Sequence, residues 1–310
     1  MFVLVVIISY YLDNMRKKVA LALSCGGARG LAHIGVIKAL EEDGYEISSI
    51  AGSSMGAVIG GFYAAGKLDL YIKWVSSLQR LDIFKLMDFT FSQQGFIKGE
   101  KVFKEMKTLI EDISIEDLPI PYVAVASDLA NQQEVAFREG SLYHAMRASA
   151  AIPSIVQPVF YKDQYLVDGG VLNPVPVSQL KRNDDELLVV VNVNAPIPCQ
   201  PGTDQLPAAS ALGRFEILLN KWGLSKKEQK HPVMKKLGFF ETLSRSVDVM
   251  QDKMIDLTIK YYQPDVYVEV SRGACSTFEF EKANELIDLG KEAWKNATHS
   301  VAAAPIEVNE

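Results

Sequence analysis

Residues 47–65 read ISSIAGSSMGAVIGGFYAA, and the change of character at Gly52 decides how the chain folds. The apolar run 47–51 has the length and composition of a short strand. From residue 55 to residue 65 the side chains are small and apolar, the pattern of a buried helix. Between the two, Gly52-Ser53-Ser54-Met55-Gly56 fits G-x-S-x-G in the strand–turn–helix context that this motif requires. The spacing has a geometric reason. Ser54 on a tight, strained turn needs neighbours two positions away that carry no clashing side chain. Its hydroxyl then projects from the sheet edge, and the positive end of the following helix favours negative charge at a reacting carbonyl oxygen. The same five residues also describe a plain strand-to-helix turn capped by Ser54, so the motif needs support from elsewhere in the chain.

A second glycine loop gives that support. Residues 19–24, VALALS, read as another buried strand, and Cys25-Gly26-Gly27-Ala28-Arg29-Gly30 follows. Residues 31–43 then have helical spacing, with Ile34, Ile37 and Leu40 on one face and Gly44 as the stop. Acyl transfer develops a negative oxygen, which each preorganised N–H donor stabilises by roughly 3–4 kcal/mol. Gly26 and Gly27 let the backbone approach a substrate, and the helix end adds unpaired N–H groups. Arg29 can add positive charge or pin the loop through a hydrogen bond. A dinucleotide loop fits poorly. There is no G-x-G-x-x-G in register, and Asp43 lies too close to serve as the ribose-binding acid.

A serine nucleophile needs a base. The chain has four histidines, His33, His144, His231 and His299, and none sits in a loop after a strand. His33 reads as a residue supporting the glycine loop or the core. Asp168 is better placed, after the strand-like 165–167 and before Gly169-Gly170. An ordinary aspartate, with a pKa of about 3.9, is a weak base. Desolvation in a closed apolar site raises that value and makes a serine–aspartate pair workable. Aspartate before glycine is also a common turn.

Further strands are expected at 121–126 and 134–137 and, most clearly, at 186–193 (ELLVVVNV), with a last one at 265–270. Helices are expected at 141–149, 239–262 and 280–297. Strands alternating with helices imply an α/β fold with a mainly parallel sheet covered on both faces. One domain over 19–297 is expected, with an apolar tail at 1–15 and a second tail at 298–310. The chain has 310 residues, 48% of them hydrophobic and 23% charged, enough for a sizeable core. A net charge of −6 argues against a nucleic-acid partner, which needs a basic surface. Cys25, Cys199 and Cys275 are scattered, without a CxxC or Cys/His cluster, so neither a metal site nor a disulfide framework is expected, and a reducing compartment suits them. Residues 2–12 are apolar but too few to span a bilayer, which takes about 20. Charge follows them rather than precedes them, unlike a secretory signal. A translation start at Met15, an extra strand and an interfacial anchor are the readings left for this stretch.

Taken in order, these motifs resemble those of the patatin-like phospholipases, the bacterial members above all. Cys25 to Gly30 is similar to the family's G-G-G-x-R/K-G loop, and Gly52 to Gly56 to its G-x-S-x-G. Arg147-Ala148-Ser149-Ala150-Ala151-Ile152-Pro153 is similar to its A-S-x-A-x-P block. Asp168-Gly169-Gly170, with Asn173-Pro174 beyond, is similar to its D-G-G/A. The resemblance covers about residues 19–176 and implies a three-layer α/β/α fold. It implies lipid acyl hydrolysis through an acyl-enzyme, without metal or other cofactor. Ser54 would be the nucleophile and Asp168 the base, with Gly26, Gly27, Ala28 and Arg29 forming or supporting the oxyanion hole. One departure is plain: Cys25 stands where the family has its first glycine. A glycine-only backbone conformation there would strain Cys25; otherwise the side chain narrows the pocket.

A lipid substrate needs an apolar cavity and access to a membrane. The aromatic-rich stretch from Trp74 to Phe96 is a candidate lining or cover. Residues 218–240, with Lys221, Lys226, Lys227, Lys230, Lys235 and Lys236 among apolar residues, suit an anionic surface. The expected location is the cytoplasm, with peripheral contact at the inner membrane face. A general esterase or thioesterase is a variant of this reading. A catalytically weak lipid-binding protein of the same fold is the competing one, and Cys25 is the feature that points to it.

Overall fold

The computed structural model describes residues 17–92, 95–199 and 239–303. The expectations for the tail at 1–15, for most of the lysine-rich segment 218–240 and for residues 304–310 lie outside them.

The strands are β1 (Lys18–Leu23), β2 (Glu46–Ser53), β3 (Phe89–Ser92), β4 (Gly95–Ile97), β5 (Tyr122–Asp128), β6 (Gln133–Phe137), β7 (Val159–Tyr161), β8 (Gln164–Asp168), β9 (Leu187–Ala195) and β10 (Val266–Ser271). The helices are α1 (Ala32–Glu42), α2 (Met55–Ala64), α3 (Leu68–Ser77), α4 (Arg80–Leu86), α5 (Glu100–Leu109), α6 (Leu142–Ser149), α7 (Phe239–Tyr262) and α8 (Ala283–Ala303). Among the described residues no helix is long and apolar enough to cross a membrane.

The main sheet runs β10-β9-β1-β2-β5-β8-β7, with β6 also paired to β5. Every ladder from β10 to β5 is parallel. Those involving β6, β7 and β8 are antiparallel. The near-continuous apolar runs of β1, β5 and β9 match burial on both faces. Side chains alternate between two cores. Leu21, Leu23, Val189 and Val191 pack with α1, α2 and α8 on one side. Ala22, Leu188 and Val190 pack with Val175, Val177 and Ile255 of α7 on the other. The result is the three-layer α/β/α arrangement with a mainly parallel sheet.

α8 runs past residue 297, where the sequence suggests an end. The alanine-rich stretch 301–303 continues it, as alanine is the best helix former. The β3–β4 hairpin and β7 have no counterpart in the sequence reading.

Two ladders set the site. Ser53 of β2 is paired with Val125 of β5, and the next residue of β5, Ala126, is paired with Asp168 of β8. Residues 54 and 168 therefore stand almost level on strands two apart, despite their separation in sequence.

Candidate active site

β2 ends at Ser53, α2 begins at Met55, and Ser54 is the single residue between them. Its backbone has φ 56° and ψ −122°, a positive-φ conformation that a side-chain-bearing residue adopts at a cost of about 1–3 kcal/mol. The flanking glycines allow the turn to close. A Cβ on Gly52 would lie 2.4 Å from the Gly56 carbonyl, and one on Gly56 would lie 2.4 Å from the Leu23 carbonyl oxygen. The turn is also tied from outside. The Ser54 N–H donates to Ser149 Oγ at 2.9 Å, and that hydroxyl donates to the Val125 carbonyl at 2.6 Å. Ser149 thus fastens α6 to both β5 and the turn.

The Ser54 side chain faces the Asp168 carboxylate, close enough to favour its charged form, and the two line the same hollow. Asp168 is 6% exposed and ends β8. Its Oδ1 accepts the Gly170 N–H at 2.8 Å. Burial pushes its pKa up to about 6, and the nearby Ser54 hydroxyl and the Gly170 N–H hold back a larger rise. A carboxylate in that range accepts a proton near neutral pH far better than an ordinary aspartate does. Gly169 and Gly170 sit tightly behind it, against Val125 and against Cys25 and Gln251. Gln251 of α7 donates to the Gly170 carbonyl at 2.8 Å.

The glycine loop lies beside this pair. Gly26, at φ 168° and ψ 7°, leads into Gly27, which at φ +55° opens a short 3₁₀ turn over Gly27–Leu31. Among the described residues nothing accepts the Gly26 or Gly27 N–H, as expected at a helix start. The Ala28 N–H is committed to the Thr277 carbonyl at 2.9 Å, so Ala28 supports the loop without donating from it. Arg29 is a pin: Nε donates to Asn194 Oδ1 at 2.9 Å and a terminal nitrogen donates to the Cys275 carbonyl at 3.1 Å. Asn194 Nδ2 in turn donates to the Cys25 carbonyl at 2.7 Å.

Cys25 does not take a positive φ, so the first loop position carries a side chain without backbone strain. Its thiol is buried against Gly170, and burial, then the Asp168 charge, push its pKa up. It stays a neutral thiol and narrows the space beside Asp168. His33 is buried, with Nε2 at 2.9 Å from the Ser24 carbonyl, and burial lowers its pKa to about 4. Neither His33 nor His144 lines the space around Ser54.

Two hollows meet at Ser54, sharing Gly27, Ile152 and Thr277. One encloses about 920 Å³, its mouth included, and is walled by Tyr71, Trp74, Ile97, Val102, Phe103 and Met106. The other, about 970 Å³, presents Arg29, Asp168, Asn194, Asp248 and Gln251. Trp74 fills its expected place in the apolar wall, whereas Phe84 is half exposed and the side chains of Phe89, Phe91 and Phe96 lie outside the described ones. Phe278 and Phe280 complete the wall, and Asn194 and Gln251 complete the polar side; the sequence reading assigned none of these, nor Phe103, to the site. The signal for Asn194 lay in the strand itself, where Asn192 and Asn194 interrupt a run of valines. Among the described residues no group of three His, Cys, Asp or Glu side chains is placed to hold a metal ion.

The family model described as "Patatin-like phospholipase" matches residues 21–181, which hold every motif named above. An uncharacterised NTE family protein of Mycobacterium tuberculosis is 35% identical over 94% of this chain and 94% of its own length. A lysophospholipase NTE1 of Meyerozyma guilliermondii is 26% identical over 88% of this chain, which spans 19% of that much longer protein. A crystal structure of VipD from Legionella pneumophila aligns with a TM-score of 0.44 and 13% identity, over 92% of this chain and 67% of that one.

Proposed function

Since the chain belongs to the patatin-like phospholipase family, we propose that it is a serine hydrolase of lipid carboxylic esters working through a Ser54–Asp168 dyad. The observation that carries this reading is the strained Ser54 lining one hollow with a buried carboxylate whose pKa is pushed up to about 6. Asp168 takes the Ser54 proton as Oγ attacks the ester carbonyl. The developing oxyanion lies against the Gly26 and Gly27 N–H groups. Protonated Asp168 then gives its proton to the departing alkoxide, leaving an acyl group on Ser54. Water enters, Asp168 takes its proton, and the acid leaves as Ser54 recovers the hydrogen. The apolar hollow suits the acyl chain, and the polar hollow suits the alcohol portion with its head group.

Phospholipids and lysophospholipids fit this division, and relatives named lysophospholipase support it. The weak-binder alternative loses its one argument, because Cys25 sits in its loop without backbone strain. A fluorophosphonate probe tests the proposal. Ser54 should be labelled in the native chain and unlabelled in Ser54→Ala, with lysophospholipid turnover lost in parallel. Labelling that persists in Ser54→Ala would overturn it.

A further inference from the structure

α7 carries an apolar seam that is not buried among the described residues. Leu243, Val247, Met250, Met254, Leu257 and Tyr261 recur at alternating steps of four and three, which places them on one stripe of the helix. α7 rests on the sheet through a different face, where Ile255 is buried beside Leu188 and Val190 and Gln251 reaches Gly170. The seam turns outward. Met250 is 57% exposed, Leu257 55% and Tyr261 80%. Single exposed apolar residues need no explanation, but a continuous row of them does.

Two observations say what covers it. The first is continuity with the site: Leu243 and Val247, at the start of the seam, line the same polar hollow as Ser54 and Asp168. The second is charge. Lys253 and Lys260 are exposed along one flank and share a single acid, Asp256, at 3.4 and 3.0 Å, which leaves the flank positive. An apolar stripe edged by lysines fits an anionic bilayer surface, with the helix lying in the headgroup region. Tyr261, at the far end, is the kind of side chain that settles at such an interface. Antiparallel pairing with a second copy would bring lysine rows together and is disfavoured.

Resting on the reading of the site as a lipid ester hydrolase, we propose that α7 docks on an anionic lipid surface through this seam, so that the mouth of the polar hollow opens onto the bilayer. A substrate then moves from membrane to Ser54 without crossing water.

The test uses the full chain, co-sedimented with vesicles of phosphatidylcholine mixed with phosphatidylglycerol or of phosphatidylcholine alone. Turnover of soluble p-nitrophenyl butyrate is followed in parallel. Met250→Glu with Leu257→Glu should weaken binding to the mixed vesicles about tenfold or more, since charge replaces buried apolar area. Hydrolysis of the soluble ester should not change, because neither residue lines either hollow. Lys253→Glu with Lys260→Glu, at exposed positions that do not endanger folding, should weaken binding to the mixed vesicles and spare the little binding to phosphatidylcholine. Unchanged binding in both double variants would overturn the proposal, as would a native chain that ignores the mixed vesicles. So would a dimer that Met250→Glu with Leu257→Glu splits while vesicle binding stays as it was. A native chain that binds through the seam but leaves the soluble ester intact would sink the hydrolase reading and spare the docking surface.

Discussion

Replacing Asp168 with asparagine should make the protein more stable while it removes turnover. Burial raises the Asp168 pKa from 3.8 to about 6, so the folded chain holds a proton that the unfolded chain releases. The contribution of this group to stability is full below about pH 4 and is lost as pH rises to about 6. Above that, the native chain must bury a charged carboxylate. A rise from 3.8 to about 6 corresponds to about 3 kcal/mol, at roughly 1.4 kcal/mol for each pH unit. Asp168→Asn keeps an oxygen for the Gly170 N–H, now at 2.8 Å, and carries no charge. Urea unfolding of both proteins across pH 4 to 8 reads the difference. The variant should match the native chain at about pH 4, draw ahead between about pH 4 and 6, and stay ahead by about 3 kcal/mol beyond. Equal stability at about pH 8, or a native chain that gains on the variant as pH rises, would show that the carboxylate is not held in a desolvating site.

Three further outcomes follow from the same geometry. Hydrolysis of a soluble ester should rise with pH through about 6 and then level off, as Asp168 ionises, and Asp168→Asn should lower kcat/KM by about 10²–10⁴. Ser149→Ala leaves the Ser54 N–H without its acceptor, which should cost about 1–3 kcal/mol in thermal or urea unfolding and lower kcat; Ser149→Thr, which keeps the hydroxyl, should restore both. Asn194→Ala frees the Cys25 carbonyl and Arg29 Nε together, so the loop loses its brace. Steady-state kinetics should show kcat falling more than KM rises, because the loop donors act on charge that exists only in the transition state.

Much of this was legible in the residues because local chemistry carries it. A glycine two places either side of a serine, between an apolar strand and a small-residue helix, prepares a tight turn, and φ 56° at Ser54 is the conformation found there. The aspartate before two glycines reads as a turn at a strand end, and Asp168 does end β8 and accept the Gly170 N–H; His33, read as supporting the loop or the core, is buried against the Ser24 carbonyl. What stayed hidden depends on tertiary placement. The short hairpin β3–β4 and strand β7 have little pattern of their own. Val102, Phe103, Met106, Phe278 and Phe280 come from separate elements and meet only as the wall of one hollow. Ala28 shows the limit most clearly. Its place in the glycine loop suggests an open donor, yet Thr277, far along the chain, accepts its N–H. Cys25 errs in the opposite direction: its side chain suggests strain at a glycine position, and the backbone there needs none.

Two costs are concentrated at one point of the sheet, and its architecture explains why they are tolerated there. Ser54 sits in a strained turn, and Asp168 loses solvation that its charged form needs. Both stand at the end of strands whose neighbours, β1 and β5, are buried throughout their apolar runs. The ladders β2–β5 and β5–β8 fix the two residues almost level. A shift of one residue in either ladder would turn Asp168 or the β2 end to the opposite face and empty a core position as well. Register, and with it the approach of the two side chains, is therefore held by the same apolar burial that holds the fold. Strain and desolvation do not share that fate. Removing the Asp168 charge relaxes the site and leaves the ladders whole, whereas a side chain at Gly52 or Gly56 would meet backbone at 2.4 Å and disturb both. Stability and turnover should then part company at Asp168 and fall together at the two glycines.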